Sequence, residues 1–296
     1  MSPMNQKQYT YLPPDLAEKL DEVQLSVRKS MAGMRQNQHR SDSLGSSVEF
    51  AEYREYYPGD PLNQLDWDVY ARSDRFVVRE SYEEVSADCY VLLDLSASMQ
   101  FAHGAEMEKI AYGRYLAAGI LYLMVNQGDS AGLITFDTGI REFFDRASTD
   151  SGLKPHLEYL DSEDTGGEGD IESALHEVTE LVDGPAMVVL ISDLLQESEP
   201  IIRGLHHLDH EKMDVTVFHV MDPTELSLSM DGLVELEDME TGSEMTVQPD
   251  AVRDLYVEQV NQHLDEIRTN CTNMQMDYHF SDTGKPVHEL IMERCF

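Results

Sequence analysis

Residues 91–99 read Val91-Leu92-Leu93-Asp94-Leu95-Ser96-Ala97-Ser98-Met99. The apolar half, led in by Cys89-Tyr90, has no polar face, the pattern of a strand buried on both sides in a parallel sheet. At its carboxyl end it changes to one carboxylate and two hydroxyls at alternate positions. Oxygen atoms at that spacing, on a turn leaving a sheet, suit a hard cation such as Mg²⁺. The carboxyl ends of parallel strands are also where open α/β sheets bind ligands. A second stretch, Ala186-Met187-Val188-Val189-Leu190-Ile191, is equally apolar and ends in Ser192-Asp193. If these strands are neighbours, Asp94 and Asp193 meet above one sheet edge. The competing reading makes each aspartate the cap of the turn or helix that follows, a common role.

Working outward, strands and helices alternate from residue 88 onward, which predicts a doubly wound, mostly parallel α/β sheet. An amphipathic helix is expected over 106–126, with Ile110, Leu116, Ile120, Leu123 and Met124 toward the sheet. Strands follow at 131–136 and 140–144, then a helix over 153–160, an acidic Gly-rich loop over 161–170 and a helix over 171–182. Beyond the 186–191 strand come a helix (200–210), a strand (215–221), an acidic hairpin insertion at about 223–248, a helix (250–270), an edge strand (276–280) and a closing helix (287–295). Upstream, residues 1–47 read as a ragged tail to residue 12, a helix capped by Asp15 carrying Leu16, Leu20, Val23 and Val27, and a polar linker. Residues 48–84 form a small β-rich subdomain with a Pro58-Gly59 turn and a strand over 75–84. The α/β domain occupies 85–296.

The 296 residues carry 57 acidic and 21 basic side chains, a net charge of -36. That excess repels phosphate backbones, so nucleic acid is excluded as a partner. Three scattered cysteines, Cys89, Cys271 and Cys295, fit neither a disulfide framework nor a zinc site. The longest apolar run, residues 116–125, is too short to span a bilayer, so stable membrane insertion is not expected. No signal-peptide pattern opens the chain, and a cytoplasmic protein is the expectation.

Asp94-x-Ser96-x-Ser98 resembles the first motif of the metal-ion-dependent adhesion site of von Willebrand factor type A domains. Glu49-Phe50, Arg54-Glu55-Tyr56, Pro58-Gly59-Asp60, Leu65-Asp66-Trp67 and Ala71-Arg72 precede it. Together with Asp238-x-Glu240-Thr241-Gly242 and Asp277-Tyr278…Asp282, they are similar to the domain-of-unknown-function family that has a von Willebrand factor A-like domain and is associated with MoxR-type AAA+ ATPases. The resemblance covers roughly residues 40 to 295. It implies a non-enzymatic protein-interaction module, an accessory or adaptor of such an ATPase and its client. A partner carboxylate would bind through a metal held by Asp94, Ser96, Ser98 and Asp193. One departure weakens that site: Gly169 stands where these domains present a threonine. Thr165 and Asp170 are the candidates to replace its oxygen, and Mg²⁺ is expected to be weak or absent.

The alternative is a metal-dependent hydrolase using Asp94 and Asp193, but no general base accompanies them. Other patterns fall away. Gly128-x-Ser130-x-Gly132 has helix then strand, the reverse of a nucleophile elbow. His206, His207 and His210 lack the glutamate of a zincin motif. The 166–169 glycines match no phosphate loop. Trp67 is expected in the core of the small subdomain, and Arg54, Arg72 and Arg75 are expected to pair with Asp60, Asp66 or Asp68.

The charge excess itself generates a prediction. Salt should relieve self-repulsion, so melting temperature should rise between about 0.05 and about 2 M KCl. A flat or falling curve would show the carboxylates to be too far apart to interact.

Overall fold

The structure is a computed structural model that describes residues 9–21, 48–57, 65–73, 75–83, 88–162, 165–182, 184–239 and 242–294. The polar linker, the Pro58-Gly59-Asp60 turn, Val23, Val27, Glu240-Thr241 and Cys295 lie outside the described residues. Two compact units are present, residues 29–86 and residues 1–28 with 87–296.

The larger unit is built on one six-stranded sheet of order β10-β7-β6-β3-β4-β5. Its strands are β3 (Asp88–Asp94), β4 (Ser130–Phe136), β5 (Ile140–Ala147), β6 (Met187–Ser192), β7 (Asp214–Met221) and β10 (Asp277–Asp282). All neighbours pair in parallel except β5, which folds back antiparallel on β4. The doubly wound, mostly parallel fold is therefore as expected. The central strands bury every residue of Val91–Leu93 and Val188–Ile191, because helices cover both faces.

Helix α3 (Lys109–Asn126) crosses from β3 to β4, and α4 (Asp150–Ser162), α5 (Ile171–Leu181) and α6 (Ser198–His210) continue the alternation. Ile171, Leu175, Val178, Ile201, Leu205 and Leu208 of α5 and α6 join Leu92, Val188 and Leu190 in one core. The amphipathic expectation for α3 is corrected: it is buried on nearly every side, Lys109, Tyr112 and Arg114 included. The reason is a second layer of helix outside it. Helix α1 (Pro14–Asp21) buries Leu16 and Leu20, and the Tyr122 hydroxyl of α3 donates to Asp21. Tyr11 packs edge-on against Tyr115, their ring centroids 5.2 Å apart. Residues 9–12, expected as ragged tail, thus belong to the packed unit, with Tyr9 and Leu12 buried.

The smaller unit pairs β1 (Val48–Glu55) antiparallel with β2 (Val77–Glu83) across a bulge at Phe50/Glu52. Between them runs the short helix α2 (Trp67–Ser73). Two expectations are overturned here. Trp67 is 58% exposed; as the first helical residue it points away, while Asp66 is the buried one and accepts the Val69 amide at 3.0 Å. Arg75 pairs with Glu55, its Nη2 2.8 Å from Oε1, a partner that was not among the expected aspartates. The Arg54 and Asp68 side chains are outside the described residues.

In the insertion at about 223–248, a helix comes first, α7 (Pro223–Ser227), closed by a capping box between Asp222 and Glu225. The hairpin follows as β8 (Val234–Glu237) and β9 (Glu244–Val247). Helices α8 (Pro249–Asn273) and α9 (Val287–Arg294) flank the edge strand.

Gly132 in β4 shows how close the layers lie. A Cβ there would stand 2.7 Å from the Tyr90 ring and 2.9 Å from the Phe144 carbonyl oxygen. Backbone cannot yield as a side-chain tip does, so Gly132→Ala should destabilise the domain by about 1–3 kcal/mol. Urea unfolding checks this; an unchanged midpoint would mean that β5 slides away at no cost.

Candidate functional site

The chain runs β3, β4, β5 in one direction along the sheet, then returns to place β6 on the other side of β3. That reversal is a topological switch point, where the connections leaving neighbouring strands part and open a crevice. Asp94 ends β3 and Asp193 directly follows β6, with Leu93 opposite Ile191 in the register. The structure therefore brings the two aspartates to one edge of adjacent parallel strands. Both are buried, at 5% and 2% exposure.

Each oxygen of Asp94 is fixed. Oδ1 accepts the Ser96 amide at 2.8 Å, and Oδ2 accepts the Ser192 hydroxyl at 2.6 Å. The Leu194 amide in turn donates to that serine's Oγ. Ser96 Oγ and Ser98 Oγ stand 3.1 Å apart. Beside them is a pocket walled by Asp94, Ser96, Ser192, Asp193, Ile171 and Leu194. It has ≈ 10 Å³ open to the centre of a water-sized sphere, which is room for about one water or a small ion.

The glycine loop reaches the motif through its backbone. Gly166 donates its amide to the Leu95 carbonyl and Gly167 accepts from the Ala97 amide. Both glycines have positive φ, at 150° and 107°, and a Cβ on Gly167 would lie 2.9 Å from Asp137 Oδ2. Both residues named as replacements for the missing threonine oxygen have hydrogen-bond partners of their own. Thr165 Oγ1 accepts from the Gln100 amide. Asp170 is exposed and caps α5, accepting from the Ser173 amide at 3.1 Å and its hydroxyl at 2.8 Å.

Lys109 was not legible as a site residue, yet it supplies the positive charge beside Asp193. Its side chain is 0% exposed, with Nζ 2.7 Å from Asp193 Oδ2 and bonded also to Glu225 Oε1. The signal, in hindsight, was a lone lysine at the head of an apolar helix, since lysine is almost never fully buried unpaired. Glu225 is held by the capping box. Its N-cap partner Asp222 gathers the amides of His103, Gly104 and Ala105 as well as Thr224. Burial alone would lower the lysine pKa, but Asp193 and Glu225 overcome it and raise it.

Asp94 has no such counter-ion among the described residues. Burial first, then the charge of Asp193, push its carboxyl up to about 7, against the opposing hydrogen bonds from Ser192 and Ser96. An all-oxygen set with a carboxylate lacking a cation is what a small hard cation fits, so Asp94, Ser96 and Ser98 pass that test. Asp193 fits it poorly, because Lys109 already neutralises it. Among the described residues, no group of three or more His, Cys, Asp or Glu side chains is placed to hold one metal ion. His207 of the trio above lies against His176, their ring centroids 4.9 Å apart and the planes tilted by 48°.

The raised Asp94 pKa has a pH consequence. The folded carboxyl holds its proton more tightly than the unfolded one, whose pKa is near 3.8. Its stabilising contribution is full below about pH 4 and is lost as pH rises through about 7. Asp94→Asn should therefore gain on the wild type in melting temperature across that window, by at least about 4 °C in metal-free buffer. Parallel curves for the two proteins would place the Asp94 pKa at its ordinary value.

Uncharacterised proteins of Mycobacterium tuberculosis and Mycobacterium bovis are 28% identical over 249 residues, 81% of this chain and 76% of theirs. Among solved structures, the conserved hypothetical protein BatB from Bacteroides thetaiotaomicron matches 70% of this chain and 96% of its own. It has 16% identity and a TM-score of 0.47. The VWA domain of SpRpn10 matches 70% and 94%, with 10% identity and a TM-score of 0.41. A family model described as "Protein of unknown function DUF58" matches residues 52–266, most of both units, and the chain belongs to that family.

Proposed function

We propose that this chain is a non-enzymatic protein-interaction module, an accessory or adaptor of a MoxR-type AAA+ ATPase, that binds a partner carboxylate at Asp94, Ser96 and Ser98. The observation carrying this reading is Asp94 itself. It is a buried carboxylate at the sheet's switch point, pinned by Ser96 and Ser192, facing a pocket of one-water size and paired with no cation among the described residues. Mg²⁺, when bound, would supply the positive charge on which a partner's carboxylate oxygen lands. The residues that would hold it are Asp94, Ser96 and Ser98. Their backbone anchors keep the hydroxyls in place and the apolar wall of Ile171 and Leu194 limits water.

The hydrolase alternative needs a base beside the carboxylates. Lys109 is committed to two ion pairs and its pKa is raised. Burial pushes the nearby His219 down to about 3, too weak a base to activate water at neutral pH. Both features favour the binding reading.

Under this reading metal and partner bind cooperatively, each raising the other's affinity by the same factor. Asp94→Ala should abolish Mg²⁺ binding and the EDTA-sensitive share of partner binding, with the circular dichroism spectrum unchanged. Gly169→Thr should tighten Mg²⁺ if its hydroxyl reaches the site. Titration calorimetry, with the ATPase captured from native lysate in Mg²⁺ or EDTA, measures each. Partner binding indifferent to EDTA and to Asp94→Ala would move the docking surface elsewhere.

A further inference from the structure

Lys109 Nζ is fixed from two sides, by Asp193 beyond β6 and by Glu225 in the capping box of α7. Glu225 has no freedom to release it, because its second oxygen accepts the Asp222 amide at 2.8 Å. Asp222 is itself clamped by the loop that leads into α3. Asp193 keeps only a long contact on its other side, the Leu195 amide at 3.4 Å from Oδ1. A fully buried ammonium held this way occupies the electrostatic role that a metal would otherwise take at Asp193.

We infer that Lys109 is a resident cation that withdraws Asp193 from any divalent ion at Asp94, so that Lys109 lowers the metal affinity of the site. This rests on Asp94, Ser96 and Ser98 being a cation site, and it makes Lys109 a positioning residue rather than a ligand. It also identifies a cause of weak metal binding separate from Gly169. With every group ionised, Asp94, Asp193 and Glu225 against Lys109 leave the cluster a net charge of three negatives less one positive, or two negatives.

The charge count supplies the test. The double variant Lys109→Met with Glu225→Gln removes one positive and one negative charge, so the net charge stays the same while Asp193 is released. The glutamine can still accept the Asp222 amide. Mg²⁺ alone is titrated by calorimetry into wild type, the double variant and the double variant carrying Asp193→Asn. The double variant should bind Mg²⁺ at least about tenfold more tightly than wild type, about 1.4 kcal/mol, and Asp193→Asn should erase the gain. A structural role alone would not produce tighter binding. Equal or weaker Mg²⁺ binding in the double variant overturns the inference, as does a gain that survives Asp193→Asn. If wild type shows no measurable Mg²⁺ binding, its appearance in the double variant supports the inference and its continued absence overturns it. Should that variant not fold, Lys109→Gln with Glu225→Gln, which keeps the same net charge and puts an amide in place of the ammonium, is read by the same outcomes. Failure of the cation-site reading is distinct, because it shows as indifference to Asp94→Ala.

Discussion

The site depends on burying charge at the sheet's switch point. Two aspartates are carried there by strands whose own residues are wholly apolar, and a buried carboxylate is costly unless paired or hydrogen-bonded. The two meet that cost differently. Asp193 is answered by an ammonium from the head of α3, Asp94 by a serine hydroxyl and a backbone amide. Burial, with the charge of Asp193 added, outweighs those two hydrogen bonds, so Asp94 keeps its proton to higher pH than an ordinary aspartate. The asymmetry between the aspartates follows from which helix starts beside which strand.

The same economy explains the surrounding loops. Asp222 collects four backbone amides and makes a rigid corner out of the 103–105 segment and α7. There is no room for variation in that corner, since a Cβ at Gly104 would lie 2.8 Å from the Thr224 amide nitrogen. Glu225 completes the capping box with one oxygen and holds Lys109 with the other. The helix start, the loop and the buried lysine are therefore one hydrogen-bonded unit. Breaking one member leaves the others unsatisfied in a low-dielectric setting, where the loss exceeds any single bond's net worth.

Much of this was legible in the sequence, and the illegible part has physical causes. The apolar runs ending in Asp94 and Ser192-Asp193 specify doubly buried strands, and alternation with helices specifies the winding, so both aspartates could be placed on one edge. Lys109 could not, because its partner Glu225 is 116 positions away and lies in a segment whose acidity looked like that of a solvated hairpin. Helix α3 misled for the opposite reason: periodicity shows one apolar face, while the cover from α1 and α9 on its back is a tertiary fact. Gly119 marks that cover, since a Cβ there would meet Ile291 and Leu20. Trp67 is not the core residue expected; its place as first residue of a short helix, after a capping aspartate, turns it outward.

The net charge of -36 reads differently once the buried groups are located. Asp94, Asp193 and Asp222 are almost wholly removed from solvent, and Glu225 is nearly so, so these four belong to the fold's internal electrostatics. The remainder must lie mostly on the surface, because a domain of this size has nowhere else to put it. Such a surface repels acidic partners at long range within a Debye length of about 8 Å at physiological salt. A carboxylate-bearing partner could then be accepted only at a point where the local field is reversed. Under the proposed reading, a cation at Asp94 would reverse it, since Lys109 is already neutralised by two carboxylates. On that reading the acidity of the chain and the buried carboxylate of Asp94 would act together. The surface would discourage nonspecific contact with acidic partners, and the site would make their binding conditional on metal.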